Sequence, residues 1–220
     1  MAALDPNWAV LRSWFSFAHL MDALIGFTVD RAASMKRSVE AAEQAVRIDG
    51  QDPLARGTLS IAYIWQDHPR SITEGEKSIS LNPSLSYGYI GLAASLGYLG
   101  RWEEALEPAQ VSSKLSPRDM LQTFILTIEA LIHLMLKNYD AAIEYCEQGI
   151  RKQTSNIRGY IRLACALARK GDIDAARAIL DRGKKISPIT AAYLDAIPPF
   201  DRPEDQVFYL DGLRKVGWEG

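Results

Sequence analysis

SYGYIGLAASLGYLGRWEEALEPAQVSSKLSP, residues 86–117, holds two apolar helical patterns joined by Leu99-Gly100-Arg101-Trp102. Counted from Ser86, Tyr89 stands at position 4, Leu92 at 7, Ala93 at 8, Gly100 at 15, Ala105 at 20 and Pro117 at 32. Two antiparallel helices need small residues where they cross, so that the backbones can approach, and larger ones beside the crossing to fill the space. Ala93 and Ala105 meet the first need, and Tyr89 and Leu92 the second. Gly100 can take the left-handed backbone that ends the first helix, and Pro117 stops the second.

The offsets recur downstream. From Thr123 to Thr154, Leu126, Ala130, His133 and Ala142 take positions 4, 8, 11 and 20. From Ile157, the residues Tyr160, Leu163, Ala164, Gly171, Ala176 and Pro188 take positions 4, 7, 8, 15, 20 and 32. The starts lie 37 and then 34 residues apart, and the extra residues fall in the Pro117-Arg118-Asp119 loop, where insertion costs little chain entropy. On these residues the chain resembles the tetratricopeptide repeat (TPR), a helix-turn-helix unit of about 34 residues. The resemblance implies an all-α fold, a right-handed TPR superhelix (α-solenoid) of about five helical pairs with a C-terminal capping helix.

Upstream the pattern loosens. Leu4-Asp5-Pro6-Asn7 reads as the end of a repeat, so the chain is expected to continue a longer protein. Trp8 to Phe27 is an amphipathic helical pattern with Trp8, Leu11, Phe15, Ala18 and Ile25 near helical spacing, followed by a partner helix from about Asp30 to Ile48. This opening pair is about ten residues longer than one repeat needs, so the helices or the turn at residues 28–34 must be extended. From Asp52 to Pro83 the repeat is degenerate: Leu59, Ser60 and Tyr63 fit, but Ser71, Gly75 and Ser78 stand where larger residues or Ala are usual. Gly75 alone lowers helix propensity by about 1 kcal/mol relative to Ala, so softness is expected over residues 71–81. The solenoid thus covers residues 1–188, in repeats of about 7–50, 52–83, 86–117, 123–154 and 157–188. Residues 189–220 form a capping segment in which Phe208, Leu210, Leu213 and Val216 are expected to cover the end of the stack, after a short helix over 190–197.

Composition narrows the function classes. With 220 residues, 48% of them hydrophobic, and a net charge of -2 with the signs interspersed, the chain is globular and lacks the basic stripe that nucleic-acid binding requires. The most apolar window, residues 124–136, is too short and too polar for membrane insertion, and no secretory leader opens the chain. Cys146 and Cys165 occupy core-type helical positions, as buried thiols in a reducing cytoplasm do.

Three segments narrow the resemblance. The opening pair around Phe17-Ala18-His19-Leu20-Met21-Asp22-Ala23-Leu24, the repeat ending Lys114-Leu115-Ser116-Pro117-Arg118-Asp119, and the tail Phe200-Asp201-Arg202-Pro203-Glu204-Asp205 with Leu210-Asp211-Gly212-Leu213-Arg214-Lys215 resemble the TPR region that follows the catalytic domain of many bacterial class III adenylate/guanylate cyclases. The second repeat and the ending Val216-Gly217-Trp218-Glu219-Gly220 depart from that pattern. The resemblance implies a regulatory or scaffolding role in signal transduction, with the catalytic domain and its metal-binding aspartates upstream of Met1.

Within the chain no catalytic constellation, metal motif or cofactor site is legible. His19 and His133 share position 11 of their repeats, a packing position, and His68 lies in a turn. Glu40 with Glu43, and Glu103 with Glu104, read as solvated faces. The expected site is a concave, partner-binding groove formed by the first helix of each pair: Tyr87, Ile90 and Tyr98, then Phe124, Thr127 and Leu131, then Arg158, Ile161 and Arg162. Its partner would be a protein segment, an amphipathic helix or extended peptide whose acidic flank meets Arg158, Arg162 and Arg169. A homodimer through exposed apolar helices such as Trp8 to Phe27 is the alternative, and the groove could equally be filled by the chain's own terminal helix.

Overall fold

The computed structural model describes residues 8–25, 30–117, 121–186 and 200–218. It is all-helical among the described residues: α1 (Ala9–Ile25), α2 (Arg31–Ile48), α3 (Pro53–Tyr63), α4 (His68–Leu81), α5 (Ser86–Tyr98), α6 (Trp102–Leu115), α7 (Gln122–Met135), α8 (Tyr139–Lys152), α9 (Ile157–Lys170), α10 (Ile173–Ile186) and α11 (Pro203–Arg214). The short helix expected over 190–197 lies outside the described residues. The chain divides into two compact halves, residues 1–95 and 96–220.

In the first half, α1 packs on α2 and α3, α2 on α3, and α3 on α4. Side-chain caps fix the helix starts: Asp30, Asp52 and Asp67 accept hydrogen bonds from the backbone N–H groups of Ala33, Leu54 and Arg70. The surplus length of the opening pair lies in its helices, of 17 and 18 residues. Their packing differs from the expectation. Trp8 and Phe15 are exposed, while Ala9, Ser13, Ser16, Phe17, Leu20 and Ala23 are buried. Small side chains win the inward stripe because they let α1 and α2 close up, and the Ser16 and Ser38 hydroxyls bond across the crossing at 3.1 Å. Glu43 is half-buried beside Arg47 and Arg70. It accepts a 2.6 Å bond from the Tyr63 hydroxyl and so ties α2 to α3.

The degenerate repeat packs through its small residues. Ser71, Gly75 and Ser78 are buried, and a Cβ on Gly75 would sit 2.8 Å from the Gly88 carbonyl oxygen. The Ser60 hydroxyl donates to the Ser71 carbonyl and the Ser71 hydroxyl to the Ser60 carbonyl, both at 2.7 Å. Ser78 does the same to the Pro53 carbonyl at 2.7 Å. The small residues are the contact itself, a hydrogen-bonded close approach of backbones.

In the second half, α7 packs on α6, α8 and α9, and α9 on α8, α10 and α11. Position 15 adopts the left-handed conformation in all three repeats, at Gly100 (φ +78°), Lys137 (φ +62°) and Gly171 (φ +104°). Each turn is closed by the same bond, from Arg101 N to Leu96 O, Asn138 N to His133 O and Asp172 N to Leu167 O, at 2.8–3.0 Å. Ala105, Ala142 and Ala176, at position 20, are fully buried, as are Ala130 and Ala164 at position 8.

Replacing Ala105 or Ala176 by Leu is therefore expected to overpack a helix crossing and cost roughly 1–3 kcal/mol. Thermal melts check this, and unchanged midpoints for both variants would contradict the repeat register.

Candidate functional site

The first helices of the second half share a face on which α7 meets α9. Of the expected groove residues in this half, Tyr98, Thr127, Leu131, Ile161 and Arg162 are buried and Phe124 and Arg158 half-buried, and Arg162 meets the Thr127 carbonyl. Tyr87 and Ile90 belong to the first half, where both are buried.

The chain's own tail lies across this face. Asp201 N donates to the Tyr98 carbonyl at 2.9 Å, where α5 ends. Phe200 packs its ring among Tyr98, Trp102 and Tyr209, with centroids 5.6, 6.0 and 5.8 Å away. The Trp102 indole N–H donates to the Asp205 carboxylate at 2.9 Å in a buried bond between residues 103 apart in sequence. Arg202 reaches the Gly100 carbonyl at 3.2 Å. Further along α11, the Cys165 thiol donates to the Tyr209 carbonyl at 3.4 Å, and Arg169 donates to the Phe208 carbonyl while its guanidinium lies 4.0 Å from the Phe208 ring centre. Beyond α11, Val216 and Trp218 join Ala164, Ala168, Ala176 and Leu180 at the end of the α9–α10 pair.

Two expectations change here. Of the expected covering residues Leu213 and Val216 are buried, whereas Phe208 and Leu210 are half-buried and Asp205, Tyr209 and Gly212 complete the inward stripe of α11. Gly212 decides this, because a Cβ there would overlap the Cys165 sulfur and crowd Arg169. The arginines differ as well. Arg162 is buried and donates to the Thr127 carbonyl, and Arg169 serves Phe208, so both satisfy main-chain oxygens of this chain instead of waiting for an acidic flank. Burial pushes the Cys146 and Cys165 thiols up to about 12, which leaves both as inert packing groups at neutral pH. The Tyr209 phenol is likewise raised by burial.

A second polar cluster escaped sequence reasoning. Glu129 on α7 is 1% exposed, and burial pushes its carboxyl up to about 7 against the pull of hydroxyl bonds from Ser113 and Tyr145 and of the Lys114 charge. The Tyr145 ring stacks on His133 at 5.3 Å, and burial lowers the His133 imidazole below its ordinary value. The signal was present in the sequence: Glu129 stands at position 7, where the other repeats place Leu92 and Leu163. Glu129 is enclosed by helices, while His133 reaches the edge of a neighbouring cleft. The nearby cleft of about 500 Å³ is lined by His133, Lys137 and an Asp140–Lys170 ion pair at the surface. No group of three metal-ligating side chains occurs among the described residues.

In the first half, Trp8, Trp14 and Phe15 of the α1 segment are 52%, 47% and 44% exposed. Phe15 also lines a furrow of about 310 Å³ between α1 and α2, with Arg12, His19, Arg37 and Glu40.

Residues 133–207 match the family model described as tetratricopeptide repeat. No curated protein matches the chain. Among solved structures, the chain is similar to a thermophilic TPR protein of Thermus thermophilus at 17% identity, with 90% of this chain and 99% of that one covered and a TM-score of 0.62. It is similar to MamA of Desulfovibrio magneticus RS-1 at 18% identity, with 84% and 97% covered and a TM-score of 0.58. It is also similar to YrrB, described as a TPR protein with an unusual peptide-binding site, at 16% identity, with 87% and 93% covered and a TM-score of 0.55. These likenesses establish the all-α TPR fold.

Glu129 sets a pH dependence. Its carboxyl keeps its proton to about 7 in the folded chain against an ordinary 4.5, so its stabilisation is complete below 4.5 and is lost as pH rises through 7. That loss is on the order of 3 kcal/mol. Glu129→Gln is expected to flatten the dependence of melting temperature on pH between 5 and 8 relative to the wild type. His133 pulls the opposite way and is common to both proteins, so parallel profiles would contradict the assignment.

Proposed function

We propose that the chain is a non-catalytic protein-protein interaction scaffold that holds a helical or peptide segment on the face of α5, α7 and α9. Tyr98, Phe124, Thr127, Leu131, Arg158, Ile161 and Arg162 form that site, and Tyr87 and Ile90 hold the equivalent repeat positions in the first half. One observation carries the reading: Tyr98, Cys165 and Arg169, at groove-lining positions of their helices, grip a helical segment by its main chain while apolar neighbours bury its side chains. Pre-ordered helices lower the entropic cost of such binding. The peptide-binding site named for YrrB supports the reading by analogy of fold.

The finer placement rests on sequence. The opening pair, the end of the third repeat and the tail resemble the TPR region of bacterial class III cyclases, and we assign the chain to a cyclase-like signalling protein whose catalytic domains it helps bring together. The buried free thiols of Cys146 and Cys165 support a cytoplasmic setting. A second reading, homodimerisation as an assembly protein, is favoured by the exposed Trp8, Trp14 and Phe15. Concentration-independent monomers in sedimentation would count against it.

Helical peptides selected from a random display library on the Gly212→Ala chain, in which the tail is loosened, test the scaffold reading. Leu131→Ala combined with Arg158→Ala is expected to weaken the selected peptides by roughly tenfold or more while far-UV circular dichroism is unchanged. Unaltered affinities would place binding on another surface.

A further inference from the structure

The tail has the features of a ligand as well as those of a cap. A cap needs only to cover the apolar end of the last pair, and Val216 and Trp218 do that. Residues 200–213 reach further than a cap requires. They run back from that end to Tyr98 and Trp102, along Cys165 and Arg169, which stand at the groove-lining positions of their helices.

Resting on the scaffold reading, we propose that residues 200–218 are an intramolecular ligand of this face, and that the chain's partner presents a helix of the same chemistry that displaces them. The contacts define that chemistry. Arg169 and Cys165 meet carbonyl oxygens of α11, which any helix can offer. Selectivity therefore falls on the side chains. An acid is required at the place of Asp205, where it accepts the buried Trp102 indole N–H. Four residues on, the place of Tyr209 takes a buried aromatic ring, which here lies in tilted contact with Phe200 of the same segment. Gly is required at the place of Gly212, because the helix there lies against the Cys165 sulfur. Leu213 and Val216 complete the stripe, both buried. The partner is thus an amphipathic helix of pattern Asp-x3-aromatic-x2-Gly-Leu-x2-Val, with a polar outer face like that of Glu204, Gln206 and Arg214, all exposed here.

Tethering makes the tail a strong competitor, since a segment linked within the same chain acts at an effective concentration in the millimolar range. A free peptide at micromolar concentration should consequently be excluded from the wild type and admitted once the tail is weakened.

The experiment uses the full chain and, as probe, a fluorescently labelled synthetic peptide of residues 200–218, followed by anisotropy. Gly212→Ala in the chain loosens the tail without altering the face, and Asp205→Asn provides an independent weakening that keeps side-chain shape if the first variant folds poorly. Both are expected to bind the probe at least about tenfold more tightly than the wild type. A probe carrying Gly212→Ala itself is expected to lose most of its binding. Equal probe affinity for wild type and both variants would overturn displacement while leaving the face as a binding site. No binding to any chain, with helicity intact, would overturn the scaffold reading too. A dimer of the loosened chain that the probe dissolves would make a second copy the occupant and overturn the assignment to a separate partner.

Discussion

Everything in this molecule depends on how closely helix backbones can approach. Ala93, Ala105, Ala130, Ala142, Ala164 and Ala176 are all buried, and each sits where a larger side chain would hold two helices apart. The opening pair meets the same constraint with Ser16 and Ser38, and the second repeat with Ser60, Ser71 and Gly75. The tail obeys it as well, because Gly212 sets α11 directly against Cys165. Dispersion contacts are individually small and collectively decisive, so a chain that closes its helices to this distance gains at every crossing.

Close approach also dictates what the polar groups do. Helices that touch leave no water between them, and each buried donor or acceptor has to find a partner in the protein. Serine hydroxyls in the second repeat turn to backbone carbonyls, and Arg162 and Arg169 do likewise on the inner face of the second half. Glu129 answers differently. Its carboxyl retains a proton toward neutral pH, held between Ser113 and Tyr145. The tail is held by the same means, since α11 meets Cys165 and Arg169 through its main chain as well as its side chains.

The repeats were legible because their constraint is local and periodic. Offsets of Tyr, Leu, Ala and Gly gave the pairs, and position 15 gave the turns, even where Lys137 replaces glycine in the left-handed conformation. The stripe of α1, and half of that of α11, depart from the hydrophobic pattern, and for one reason. Hydrophobicity points Trp8 and Phe15 of the α1 segment, and Phe208 and Leu210 of α11, toward the core, whereas packing selects Ser13, Ser16 and Gly212 for their size. Trp102 pairs with Asp205 across 103 residues, and no periodicity marks a contact of that kind. Repeat position placed Tyr98, Cys165 and Arg169 on the inner helices, and the sequence left a peptide and the chain's own terminal helix as equal candidates to meet them; in three dimensions the tail does so.

The Trp102 indole N–H tests the central claim most directly, because it is donated to Asp205 only if the tail lies on this face. Hydrogen exchange followed by NMR, on wild type and Asp205→Asn, is the measurement. With the tail in place, the wild-type indole proton is expected to be protected to the same degree as the amides of α9, and its protection to fall in the variant while the α9 amides stay protected. An indole proton that exchanges at the rate of a solvent-exposed tryptophan in the folded wild type would contradict it.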